Sequence, residues 1–291
     1  MFRDLQVEPE DARSILRPQK DARYGFGFSL SPYRGCEHAC GYCYVRDYPQ
    51  TLPGEKEKTV NRDAWGTWAV PKLNAAELLW NQRHRLHGQT VFLATATDPY
   101  QPLERQFRLT RACLEVLVKC PTTHVLVHTR SPLILQDLEL LQAFGSRLTV
   151  GFSIPTDDDT VRQVVEPHAP AIPSRWAVME RLAKGGIEVN LAVCPLMPVR
   201  DPQVFARRAK ESGASGAWVG SLRLLKNDAF YDVLARNDWL FILDSEYQDR
   251  VAAVLQGTFP QIRRRRKPKA ILAPPVHRPA FTAQRSLFEI A

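Results

Sequence analysis

From residue 74 onward, short apolar runs alternate with amphipathic stretches whose apolar positions recur at helical spacing. Thr90-Val91-Phe92-Leu93-Ala94-Thr95 reads as a short buried strand, and apolar runs at 123–129, 148–154, 187–193 and 217–222 repeat the pattern. Tyr24-Gly25-Phe26-Gly27-Phe28-Ser29-Leu30 alternates aromatic with small residues and predicts a first strand. Between the strands, Asn74 followed by Glu77 predicts a capped helix with Ala75, Leu78, Leu79 and Leu86 on its apolar face. A second helix is expected over 106–119. A third opens at Ser131-Pro132, a fourth covers 173–184 and stops at Gly185-Gly186, and a fifth starts at Asp201-Pro202.

Six strands alternating with helices predict a parallel α/β sheet with crossovers, here a partial (β/α)6 TIM-like barrel with a C-terminal extension. In such a barrel the chemistry sits at the carboxyl ends of the strands. The expected organisation is a polar leader over 1–23, the barrel over 24–226 and the extension over 227–291. Residues 48–71, rich in Pro, Gly and charge, are expected to form a surface excursion. No repeat of 20–50 residues is evident.

Composition adds little to this picture until it is located. The chain has 291 residues, 44% of them hydrophobic, and a net charge of +8. The run Arg263-Arg264-Arg265-Arg266-Lys267-Pro268-Lys269 carries six positive charges, leaving about +2 elsewhere. It is a candidate phosphate contact, with a solvated segment as the competing reading. No apolar run approaches the roughly 18 residues of a membrane span. The first residues lack an apolar signal core, so a cytoplasmic, reducing location is expected, with a monomeric chain and no membrane partner.

One stretch stands apart. Cys36, Cys40 and Cys43 lie within eight residues, spaced Cys-x3-Cys-x2-Cys, in a chain of six cysteines. Three thiolates on one compact loop can face a single point, as in zinc or iron–sulfur sites. For zinc the obvious fourth ligand is His38, which is badly placed to chelate together with both neighbouring cysteines. A cubane cluster would be left one ligand short, with one iron open to a substrate or cofactor. Cys113 and Cys120 have no partner pair and do not suggest a second cluster.

Cys36, Cys40 and Cys43, with Tyr42 just before the third cysteine, resemble the signature of the radical S-adenosylmethionine superfamily. The resemblance implies a [4Fe-4S] cluster whose open iron is chelated by the amino and carboxylate groups of S-adenosylmethionine. It also implies one-electron cleavage to a 5′-deoxyadenosyl radical, with the electron supplied by a flavodoxin- or ferredoxin-type reductant.

Further motifs at the expected strand ends are Thr95-Ala96-Thr97-Asp98-Pro99-Tyr100-Gln101-Pro102-Leu103-Glu104, then His128-Thr129-Arg130, Ser153, Glu166-Pro167 with Arg175, and Cys194-Pro195. Together they are similar to the spore photoproduct lyase branch over roughly residues 25–225. The likeness implies that Asp98 accepts from the cofactor ammonium. Arg130 stands near its carboxylate, where a guanidinium makes a two-toothed pair. By the same likeness Ser153 contacts the methionyl or ribose part, Glu166 and Arg175 form a brace beside it, and the backbone of Tyr42 and of 219–221 lines the adenine. Each residue also has a plain reading: a strand end for Ser153, a cap for Glu166, a helix exterior for Arg175.

Thr95 departs from that branch, which has a hydrogen-donating cysteine at the matching place. A threonine O–H bond is far too strong to donate a hydrogen atom to a carbon radical. Cys194 is the candidate substitute at the same mouth. Tyr33, Tyr42, Tyr44 and Tyr100 are redox-capable neighbours, of which Tyr100 is the catalytic candidate, with packing as the competing reading. The expectation is therefore an enzyme that abstracts a hydrogen atom from an organic substrate. Its rivals are lyase-like repair of a DNA lesion and a nucleic-acid-binding protein with a structural or redox-sensing cluster.

Overall fold

Valine, leucine and isoleucine dominate the apolar runs, and such residues form strands because their side chains pack well on a pleated, buried surface. The computed structural model describes residues 5–259 except 223 and 225–227, and the basic run 263–269 lies outside the described residues. Its main sheet contains β1 (Leu16–Pro18), β2 (Phe28–Leu30), β3 (Thr90–Leu93), β4 (His124–Thr129), β5 (Leu148–Ser153), β6 (Glu188–Val193) and β7 (Gly216–Val219). These lie side by side in chain order. β2 to β7 are parallel throughout, and β1 pairs antiparallel with β2 at one edge.

The crossovers carry α1 (Ala75–Gln82), α2 (Glu104–Phe107), α3 (Leu109–Leu117), α4 (Leu138–Gln142), α5 (Asp159–Val165), α6 (Ile172–Lys184) and α7 (Pro202–Glu211). Two further helices, α8 (Phe230–Arg236) and α9 (Ser245–Thr258), follow the last strand. This is the expected partial (β/α)6 barrel with helices after it.

The two faces of the sheet are unlike. Val91, Leu93, Val125, Val127, Val150, Phe152, Val189, Leu191 and Val193 are wholly buried. They share one core with Leu79, Leu114, Leu117, Met179, Leu182 and Phe205 of the helices. Each such side chain contributes about 1.5–3 kcal/mol relative to its exposed state. Strand alternation puts Phe92, His128, Gly151, Ser153, Asn190, Ala192 and Trp218 on the opposite, inner face.

Several local expectations differ from what forms. The 48–71 segment is not all excursion: Trp68–Pro71 is a buried strand, parallel to Gln6–Val7 and antiparallel to Tyr33–Arg34. Residues before 24 likewise contribute β1 to the main sheet. The helix expected over 106–119 breaks at Arg108, which adopts a left-handed backbone with φ of 49°. The break follows from Glu104, whose carboxylate accepts from Thr110 N and Arg111 N at 3.1 Å each and so caps α3 from the preceding turn. Asn74 does not cap α1. Its amide instead brackets Ala12, accepting from that residue's N and donating to its O.

Candidate active site

The inner strand ends converge on the cysteine loop, which leaves β2 immediately after Leu30. Cys36 and Cys40 are buried and Cys43 is half-buried. Burial first, with the charge of a neighbouring thiol adding to it, pushes all three thiols up to about 12: Cys43 acts on Cys36, Cys36 on Cys40 and Cys40 on Cys43. The three sulfurs therefore share one neighbourhood. Among the described residues no three Cys, His, Asp or Glu side chains close around a single metal ion. His38 is turned toward Asp98 instead, with Nε2 3.5 Å from Oδ2.

Two charged clusters back the loop. In the first, Asp98 Oδ1 accepts from Tyr100 N at 2.9 Å and Thr129 Oγ1 at 2.6 Å, and Oδ2 accepts from Arg130 N at 3.0 Å. Burial works to raise the Asp98 carboxyl, but His38, Arg130 and the Thr129 hydroxyl hold it well below the ordinary carboxylate range. In the second, Glu166 accepts from Tyr42 and Arg130 on Oε1 and from Arg175 on Oε2. Arg130 Nη1 also lies 3.2 Å from Cys40 Sγ and 2.8 Å from the Tyr42 hydroxyl. Burial raises the Glu166 carboxyl, and the two guanidiniums more than offset it, so the group is held below its ordinary value.

Arg175 is the largest fully buried side chain among the described residues. Besides Glu166 it binds Pro170 O at 2.8 Å and Ser153 O at 3.2 Å, so its charge is paired and its donors are used. Glu166 is thus joined to both Arg130 and Arg175, rather than to Arg175 alone.

Ser153 closes β5 on the inner face. Its hydroxyl is wholly buried and has no hydrogen-bond partner among the described residues. A buried orphan hydroxyl calls for an explanation, and a polar ligand seated beside it is one. The three soft sulfur donors, the half-buried Arg130 guanidinium and the orphan Ser153 hydroxyl have the chemistry that an iron–sulfur cluster and a charged, polar cofactor require, with the sulfurs not drawn around one point in this structure.

The remaining candidates fall elsewhere. Tyr100 is not brought to the mouth: it is wholly buried, and its hydroxyl donates to Asp137 at 3.1 Å. Cys194 follows β6, half-buried, with Sγ 3.8 Å from Trp218 O and beside Gly220. Thr95 is half-buried, and its carbonyl accepts from the Tyr44 hydroxyl at 2.7 Å.

Several contributors have no local sequence signal. The C-terminal segment packs on the loop: Phe230 meets Tyr42 edge-on at 6.1 Å, and a Cβ on Gly41 would stand 3.1 Å from its ring. Asp228 pairs with Arg46. A row of rings also crosses the inner face. Phe26, Phe92, His128 and Trp218 follow one another at centroid distances of 5.1, 6.0 and 6.1 Å. Trp218 reaches across Ala192 because Gly151 leaves room, since a Cβ there would lie 2.4 Å from the indole. Among the described residues no helix is long and apolar enough to cross a membrane.

The description "Radical SAM superfamily" matches residues 30–208. An uncharacterized protein of Methanocaldococcus jannaschii is 30% identical over 194 residues, covering 67% of this chain and 69% of the relative. Uncharacterized proteins of Acidianus two-tailed virus and of Mycobacterium tuberculosis are each 28% identical, over 59% and 60% of this chain. This chain spans only 56% and 50% of those two relatives. Among solved structures, spore photoproduct lyase complexed with dinucleoside spore photoproduct is similar in fold, with a TM-score of 0.65 and 13% identity. That match covers 89% of this chain and 81% of the lyase. With the family description spanning more than half of the sequence, over the segment that carries the cysteine loop and the strand-end clusters, this chain belongs to the radical SAM superfamily of S-adenosylmethionine-dependent enzymes.

Proposed function

We propose that the protein is a spore photoproduct lyase-like radical enzyme that abstracts a hydrogen atom from a damaged pyrimidine in nucleic acid. The observation that carries this reading is the ring row on the inner face. Trp218 lies in register with Ala192, and Ala192 with Ser153, so a planar base has an aromatic surface next to the cofactor position. Aromatic faces hold bases by stacking at about 1–3 kcal/mol each. The likeness in fold to a lyase bound to a dinucleoside lesion supports the same substrate class.

Cys36, Cys40 and Cys43 would hold a [4Fe-4S] cluster. When bound, the cluster and S-adenosylmethionine together supply a carbon-centred radical by one-electron cleavage of a carbon–sulfur bond, the electron coming from a flavodoxin- or ferredoxin-type donor. The protein's part is to hold and to shield. Arg130 grips the cofactor carboxylate while Glu166 fixes its guanidinium and Arg175 fixes Glu166. Asp98 has three of its four acceptor sites taken, leaving one on Oδ2, now turned to His38, for the cofactor ammonium. Ser153 donates to the methionyl or ribose part, and the backbone of Tyr42 and 219–221 lines the adenine.

Thr95 favours a second reading, hydrogen abstraction from an organic substrate outside nucleic acid, because the strand-end thiol of the lyase branch is missing there. Anaerobic incubation with dithionite, S-adenosylmethionine and defined oligonucleotides separates the two. Lesion-bearing DNA should raise 5′-deoxyadenosine formation about tenfold over undamaged DNA, the equivalent of one stacked base. Equal rates with and without the lesion would overturn the nucleic-acid reading.

A further inference from the structure

Several side chains of the phrase that follows β3 are bonded to the cysteine loop. Thr97 Oγ1 donates to Gly35 O at 2.7 Å, and Gln101 Nε2 donates back to Thr97 Oγ1 at 3.2 Å. Gln101 Oε1 accepts from Glu37 N at 3.0 Å. Glu37 replies, its Oε2 accepting from Leu103 N at 2.6 Å. Tyr33, on the approach to the loop, donates its hydroxyl to Glu104. Glu104 is itself bolted to the start of α3 through Thr110 N and Arg111 N.

Gly35 C=O and Glu37 N–H are the polar groups on either side of Cys36. Thr97 and Gln101, bonded to each other, hold both. Gly35 also has φ of +72°, and a Cβ there would lie 2.4 Å from Trp68 O, so the backbone has no slack on its other side. Gln101, Glu104 and Tyr33 are essentially unexposed, and leaving such a buried polar group unpaired costs about 1–3 kcal/mol.

We infer that Thr97 and Gln101 are positioning residues that set the backbone of Cys36 in its ligand-ready shape before any cluster arrives, with Glu104 as their anchor in the fold. This rests on Cys36, Cys40 and Cys43 being the cluster ligands and is independent of the substrate. Cys40 and Cys43 are held by other means: Gly41 N donates to Val165 O at 2.9 Å, Arg130 approaches Cys40, and Cys43 N donates to Cys40 O at 3.1 Å. Loosening the bridge should therefore act on one of three ligands.

The test compares reconstituted wild-type protein with Gln101→Leu, Gln101→Glu and Thr97→Val. Read out are bound iron and sulfide, the rate of iron loss to a chelator, and the electron paramagnetic resonance spectrum of the reduced cluster. Gln101→Leu and Thr97→Val should lose iron about 10–100-fold faster than wild type, as removal of an outer partner of a metal ligand does. Gln101→Glu keeps the acceptor for Glu37 N and loses the donor to Thr97, so it should fall between. Leu117→Ala, in the distant helix core, controls for general destabilisation. In cluster-free protein, the 33–38 amides should exchange faster in Gln101→Leu than in Leu117→Ala.

If wild type and variants hold iron equally well with one spectrum, or if Leu117→Ala accelerates iron loss as much, the inference is overturned. A wild type that holds no cluster at all would instead remove the ligand assignment, a separate failure.

Discussion

From β2 to β5 the barrel mouth is dense with partnered charge, whereas at β6 and β7 it carries Cys194, Gly220 and Trp218, all half-exposed and none charged. On the first side Asp98 and Glu166 are matched by Arg130 and Arg175, and Tyr42, Thr129 and His38 fill the gaps. Under the proposed function the contrast has a physical reason. A ligand with ammonium, carboxylate and sulfonium groups is best received by charges fixed before it arrives, because reorienting buried dipoles afterwards costs free energy. A planar, weakly charged substrate needs surface and access instead.

The largest effect is expected where the charged half is broken. Glu166→Ala leaves Arg175 wholly buried with no counter-charge, and loss of one partner of a buried pair costs about 3–5 kcal/mol, measurable by urea unfolding. Glu166→Gln keeps an acceptor and should cost less. The pH dependence sharpens the point. The Glu166 carboxyl is held below its unfolded value, so its contribution is complete above about pH 4.3 and is lost as pH falls through the lower folded value. Wild type and Glu166→Gln should differ most near neutrality and converge in acid. A constant difference across that range would mean that the carboxylate charge contributes nothing.

A smaller effect is expected in the open half. Gly151→Ala drives a methyl into the Trp218 ring, which must move, at about 1–3 kcal/mol for such overpacking. Tryptophan fluorescence should shift while bound iron stays at the wild-type level. Loss of iron in this variant would show that the two halves are not separable.

The sequence reached the two halves unequally. The six parallel strands were legible because their helix-side residues are mostly valine and leucine, and the strand-end motifs because they follow those runs directly. The strand Trp68–Pro71 was not, since four residues among Pro, Gly and charge carry no period of their own. The break at Arg108 was hidden for a different reason: it depends on where the Glu104 carboxylate points, a tertiary fact. The Thr97–Gln101 bridge joins residues more than 60 positions from those it holds, and the ring row draws one member from each of several strands. Neither leaves a pattern in any local window. Phe230 on Gly41 is similar, with its clue in the glycine rather than in the phenylalanine.

The smallest structural change tests the open half most directly. Cys194→Ser is nearly isosteric at a half-exposed position, where Sγ lies 3.8 Å from Trp218 O, so stability should change by no more than about 0.5 kcal/mol and iron content not at all. If Cys194 returns the hydrogen, its S–H bond breaks as the product C–H bond forms. The thiyl left behind regains an electron and a proton through the external reductant and solvent. Because a thiol exchanges with solvent, product made in D2O should carry deuterium in wild type. A serine O–H is too strong to donate, so in Cys194→Ser the product yield should fall about tenfold, a barrier increase of about 1.4 kcal/mol, and its deuterium should disappear. Unchanged yield and label would mean that the hydrogen comes from the charged half of the mouth, and the division of labour between the two halves would fail.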